Sequence, residues 1–183
     1  EAMNVVVSVG GSILVPSLGS SRVPAYARTL EELDDAGHDV GVVVGGGPAA
    51  REYIEMARDF GANEVELDQL GIAVTRLNAR LLISALDERS VTVPPTTYET
   101  AYEPPRRGDI PVMRVTQAGH TTDAVATALA EYVDADRPVH PTSVPRVLDA
   151  DPKPAPDATR FNSAPATRLG HLVAQPRPRR RTC

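Results

Sequence analysis

The chain has no tryptophan, one cysteine and one lysine, and aromatic residues make up only 4% of it. With so few rings, any core must be assembled from Val, Leu, Ile and Ala. The cysteine, Cys183, is the last residue, so no disulfide can close within the chain. That absence fits a reducing, cytoplasmic setting. No apolar run approaches the roughly 20 residues that cross a bilayer, and Glu1-Ala2-Met3 lacks the character of a secretory leader. Glu1-Ala2 reads as an extension ahead of a native start at Met3. Lysine is nearly absent, and charge is divided unevenly. Residues 1–136 hold 21 Asp/Glu against 10 Arg, a net of −11, whereas residues 137–183 hold 9 Arg/Lys against 3 acids. An acidic body argues against a nucleic-acid partner. An acidic surface using arginine in place of lysine fits a high-salt cytoplasm, and GC-rich coding gives the same bias. Folding followed across a salt series separates the two, since only the first expects added salt to stabilise.

The most informative residues present are glycines. Val42-Val43-Val44 runs into Gly45-Gly46-Gly47, and Pro48 then suits the first turn of a helix, where its missing N–H has no partner to lose. Val5-Val6-Val7-Ser8-Val9 likewise runs into Gly10-Gly11-Ser12. A strand feeding a glycine turn and a helix start presents free N–H groups to an anion, so two phosphate-sized cradles are expected side by side. Neither turn is followed by Gly-Lys-Ser/Thr, which excludes a standard P-loop. Gly45-x-Gly47-x-x-Ala50 meets the loose dinucleotide fingerprint, which expects a second strand ending in an acid about 20 residues on. The acids there, Glu64, Glu66 and Asp68, instead open a helix. Leu67, Leu70, Val74, Leu77 and Leu81 recur at helical spacing, so the dinucleotide reading fails.

Strands and helices alternate through the first two-thirds, which points to an α/β fold with a mostly parallel sheet covered on both faces. Strands are expected at Val5–Val9, Val40–Val44, Ser90–Val93 and Ile110–Met113. Helices are expected at Arg22–Ala36, with Val23, Ala27, Leu30 and Leu33 inward and Gly37 as its stop, and at Pro48–Phe60 and Glu66–Leu86. A further helix is capped by Thr121-Thr122-Asp123, with Val125, Leu129 and Tyr132–Val133 facing the core. Pro138 and Pro141 bracket Val139-His140 where the alternation asks for another inner strand, although proline is normally confined to edges and strand ends. Nine of the last 47 residues are proline, and Arg177-Pro178-Arg179-Arg180-Arg181 reads as a solvated tail. One domain over 3–173 with a disordered basic tail at 174–183 is the expected organisation.

Five ordered segments carry a family likeness: Ser8-Val9-Gly10-Gly11-Ser12, Val43-Val44-Gly45-Gly46-Gly47, Asp68-Gln69-Leu70-Gly71-Ile72, Thr75-Arg76-Leu77-Asn78-Ala79 and Gly119-His120-Thr121-Thr122-Asp123-Ala124. Together with Thr142-Ser143-Val144 and Ala150-Asp151-Pro152, the chain resembles the archaeal-type uridylate kinases of the amino-acid-kinase superfamily. The likeness runs from Met3 to about Asp157. The resemblance implies a three-layer α/β/α sandwich, a hexamer, and transfer of the ATP γ-phosphoryl group to UMP with Mg²⁺. It implies ATP contacts at Gly11, Ser12, Gly47, Arg51, Thr142, Leu148 and Asp151. UMP contacts are implied at Gly46, at Asp68 through the ribose hydroxyls, and along Thr116, Gln117, Ala118, Gly119, His120, Thr121 and Thr122. Asp123 matches an acid that orients the reacting groups.

Where the family has two glycines after the methionine matching Met113, this chain has Arg114 and Val115. Side chains there would crowd a backbone approach to UMP, although a guanidinium at 114 suits phosphate. Arg146 replaces another family glycine. Ser8 stands where many superfamily relatives carry lysine, an absence that archaeal members share. The family also continues past the point where the proline–arginine ending stands. Two other readings follow from these departures: a non-catalytic nucleotide-binding or assembly module, and a kinase of the same superfamily with another acceptor such as acylglutamate, aspartate, carbamate or isopentenyl phosphate.

Overall fold

Among the described residues, four parallel strands form the sheet, in the order β3-β2-β1-β4. β1 spans Asn4–Val9, β2 Asp39–Val44, β3 Val112–Arg114 and β4 Arg137–Val139. The computed structural model describes residues 1–19, 21–86, 89–90, 93–102, 109–115 and 120–142. The chain divides into two compact units, Glu1–Pro141 and Thr142–Cys183, a division that falls inside the expected 3–173 domain. Only Thr142 of the second unit is described, so the expected tail lies outside the described residues.

Successive side chains of a strand point to opposite faces, and here that alternation builds two apolar layers. Val5, Val7 and Val9 with Val40, Val42, Val44 and Val112 pack against Val23, Ala27 and Leu30 of α2 (Val23–Asp35) and Ala79 and Leu82 of α4 (Glu64–Ala85). On the other face Val6, Val43 and Met113 meet Val125, Ala126 and Leu129 of α6 (Thr122–Tyr132). The three-layer α/β/α expectation is met. α1 (Gly11–Leu14) is a single turn after β1, α3 (Gly47–Asp59) follows β2, and α5 (Tyr98–Tyr102) is a short helix the sequence reading missed.

Several expectations need correction. α4 begins at Glu64 rather than Glu66, because Asn63 and Glu66 form a reciprocal capping box: Asn63 Oδ1 accepts from Val65 and Glu66 N–H, and Glu66 returns an acceptor to Asn63 N–H. Of the apolar series that marks α4, Leu67 and Val74 are buried while Leu77 and Leu81 are 63% and 45% exposed, and Thr75, Asn78, Ala79 and Leu82 complete the buried stripe. Tyr132 is 47% exposed, its ring lying 6.0 Å from Tyr98 and 6.2 Å from Tyr102. Ser90 and Val93 lie in bends, not in a strand, and residues 91–92 between them are outside the described residues. The strand sought near Val139 exists, but at an edge of the described sheet, with every residue exposed. That position tolerates Pro138, since an edge strand can leave one side of its ladder unpaired.

Candidate active site

β1 and β2 end level with each other, Val9 opposite Val44, so both glycine turns leave the C-terminal edge of the sheet together. That edge is where open α/β sheets bind ligands. The turns then touch backbone to backbone. A Cβ on Gly11 would overlap the main chain of Gly45, Gly46 and Gly47, and one on Gly47 would overlap that of Gly11 and Ser12. Gly47 also has φ +68°, which disfavours any L side chain. Gly45 lies against Thr122, whose Oγ1 occupies the place its Cβ would take.

Asn78, to which the sequence reading gave no role, fixes the second turn. It is 7% exposed, and its Nδ2 donates to Gly45 O at 2.9 Å and Gly46 O at 3.0 Å. In a trans peptide the C=O and the following N–H point in opposite directions. Drawing those two carbonyls toward α4 therefore turns the N–H groups of Gly46 and Gly47 away from it, leaving them as donors for an anion. A polar residue at a helix position spaced for the core was the available signal.

A cleft of about 320 Å³ opens beside this turn. Gly46, Gly47, Arg51, Asp68, His120, Thr121 and Thr122 all line it, so seven of the expected contacts converge from three helices and their leading turns. Arg51 and Asp68 are exposed, which leaves both side chains free to meet a ligand. Thr121 caps α6 by accepting from Ala124 N–H at 3.1 Å. Gly11 and Ser12 stand on the adjoining turn, Ser12 exposed. Asp123 lies one residue beyond the cleft wall, its Oδ1 accepting from Ser8 Oγ at 2.6 Å. Thr142 opens the second compact unit, and Thr116, Gln117, Ala118, Gly119, Leu148 and Asp151 lie outside the described residues.

Arg114 and Val115, where the resemblance led to an expectation of glycines, sit differently. Val115 is 6% exposed and packs with Met113 in the α6-side core while bordering the cleft. Its carbonyl lies 3.2 Å from Thr75 Oγ1, which shares its single proton with Ile72 O at 2.8 Å. Arg114 shares the α4 face of β3 with Val112. Burial first, and the charge of Arg76 second, lower its guanidinium pKa from the ordinary arginine value. Arg76 itself is exposed, on the outer side of α4.

A larger groove of about 630 Å³, lined by Phe60, Val65 and Leu70 where α3 ends and α4 begins, lies away from the glycine turns. It is open and apolar, and it is not the candidate site. Among the described residues no group of three His, Cys, Asp or Glu side chains could hold a metal ion, and no helix is long and apolar enough to cross a membrane.

Known proteins bear on this geometry. A uridylate kinase of Haloarcula marismortui is 58% identical over 172 residues, covering 94% of this chain and 75% of that one. A uridylate kinase of Halobacterium salinarum is 54% identical, covering 94% and 71%. The crystal structure of uridylate kinase from Archaeoglobus fulgidus superposes with a TM-score of 0.85 at 40% identity, covering 94% of this chain and 79% of that one. The model of the Amino acid kinase family matches residues 3–171. The chain belongs to the amino acid kinase family.

Proposed function

We propose that this chain is a uridylate kinase that transfers the γ-phosphoryl group of ATP to the phosphate of UMP, giving UDP. The observation that carries the reading is its 58% identity to a uridylate kinase across 94% of the chain. Phosphoryl transfer requires alignment and charge stabilisation more than covalent help from the protein. The paired glycine turns supply backbone donors for both nucleotides' phosphates. In this reading Gly46, His120, Thr121 and Thr122, with Thr116–Gly119, hold UMP, and Asp68 takes its ribose hydroxyls. Gly11, Ser12, Gly47 and Arg51, with Thr142, Leu148 and Asp151, hold ATP, and Asp123 orients the reacting groups.

Mg²⁺ usually keeps several waters and binds through nucleotide phosphates. In this reading Mg²⁺ enters with the nucleotide and supplies charge at its phosphates. The enzyme is cytoplasmic and assembles as a hexamer in this reading. Tyr53, Met56 and Phe60 on one side of α3 are 55%, 55% and 79% exposed, which supports assembly through that helix.

The test is a coupled assay of UDP formation from UMP, ATP and Mg²⁺ at high salt, with CMP and AMP as rival acceptors. UMP-selective turnover is expected. Binding of UMP without turnover would instead favour the non-catalytic module.

A further inference from the structure

Three stretches far apart in the chain converge on one carboxylate oxygen. Ser8 lies on the α6 face of β1 and is fully buried, and its Oγ donates to Asp123 Oδ1 at 2.6 Å. His140, one residue beyond β4, places Nδ1 3.1 Å from the same Oδ1. The register explains the meeting. Val7 pairs with Val139, so Ser8 and His140 follow at the same level of adjacent parallel strands.

The chemistry of the contact fixes the proton. An ionised carboxylate only accepts hydrogen bonds, so the proton between these groups belongs to Nδ1, and in the neutral ring Nε2 carries the lone pair. Thr121 caps α6, so Asp123 in its first turn is not needed as the cap. The Asp123 side chain is 70% exposed, and an acid that far into solvent ordinarily keeps its rotamer freedom. Instead two donors from separate strands hold one of its oxygens, while among the described residues Oδ2 accepts no hydrogen bond. Thr122, the preceding residue, lines the cleft.

We infer that His140 is a positioning residue: with Ser8 it clamps Oδ1 of Asp123 and so fixes the orientation of that carboxylate in the first turn of α6, beside the cleft. The inference rests on the uridylate kinase reading. It also gives Ser8 a purpose: its hydroxyl is one donor to the acid, and the second donor comes from the end of β4.

The test uses the full chain and two readouts. Nitrogen NMR of the imidazole should show His140 protonated at Nδ1, a signature that Asp123→Ala, which leaves no acceptor there, removes. Steady-state UDP formation should show His140→Ala losing roughly ten- to a hundredfold in kcat, the scale of a misplaced catalytic group, with both KM values little changed. His140→Asn, whose Nδ2–H stands near the place of Nδ1–H, should recover most of that loss. Because His140 is exposed, neither change threatens folding. A ring protonated only at Nε2 overturns the clamp, whatever the activity. An unaltered kcat in His140→Ala, or no recovery in His140→Asn, overturns the positioning role while the kinase reading stands. If the unaltered chain shows the Nδ1–H signature but forms no UDP, the kinase reading falls and takes the positioning role with it, leaving only the hydrogen bond.

Discussion

Replacing Asn78 by alanine withdraws both hydrogen bonds that hold the second glycine turn. The bond to Gly45 O is buried and the bond to Gly46 O is part-buried. Each contributes about 1 kcal/mol net, and a carbonyl orphaned away from water adds up to about 1 kcal/mol more, so the fold should lose about 2–3 kcal/mol. For a chain of this size that lowers the midpoint of thermal unfolding by roughly 4–12 °C. Circular dichroism across a thermal ramp measures it directly. Asn78→Asp should be worse, because its carboxylate sets an acceptor against two acceptors. Nucleotide binding should weaken in both variants even at temperatures where they remain folded, since the freed peptide planes no longer keep the Gly46 and Gly47 N–H groups turned outward. An alanine variant that melts within about 1 °C of the parent would refute the reasoning, because two bonds worth the usual amount cannot vanish without a thermal signature.

Gly47→Ala should abolish nucleotide binding and cost at least about 1–2 kcal/mol, from the left-handed φ alone, before its collision with the Gly11 backbone is counted; calorimetric titration with ATP and UMP is the check. Asp68→Ala should leave thermal stability unchanged, because the residue is exposed, while weakening UMP binding and sparing ATP; unaltered UMP affinity removes Asp68 from the acceptor site. Arg114→Met should not destabilise the chain, since partial burial and Arg76 disfavour the charge it removes. A pKa lowered in the folded state makes the protonated guanidinium a cost wherever it is charged, so melts of the two chains should differ by the same amount from about pH 5 to pH 9. Added phosphate should stabilise the parent more than the variant, and equal stabilisation excludes an anion at Arg114.

Much of the site's frame is legible in the sequence because it is made by local rules. Valine runs ended by glycines announce β1, β2 and their turns, and Thr121 announces the start of α6. What escapes is whatever depends on partners distant in sequence. The apolar spacing of α4 marks the buried side at Leu67 and Val74, but it does not reveal that a polar residue, Asn78, is buried on that side to serve backbone carbonyls 32 and 33 positions away. Leu77 and Leu81 of the same series are exposed. α5 has five residues, too few for any period to register. Ser8 is readable only as a missing lysine, and its link to His140 becomes visible once β4 is known to pair with β1 in parallel.

The glycines also account for how α6 is tied to the phosphate turns. Because Gly45 offers no side chain, Thr122 seats directly against the end of β2. Thr121 fixes the helix start from below, and Ser8 with His140 fixes Asp123 from the flanking strands. The wall between the two cradles is therefore main chain on main chain, with no rotamer that could widen it. A methyl group at Gly11, Gly45 or Gly47 would displace turn, helix start and acid together. A change at Asp68 or Arg51 alters one side chain at the rim. In the proposed reading, rigid backbone sets the alignment of the phosphates while exposed rim residues tune what is admitted, a separation that suits in-line phosphoryl transfer.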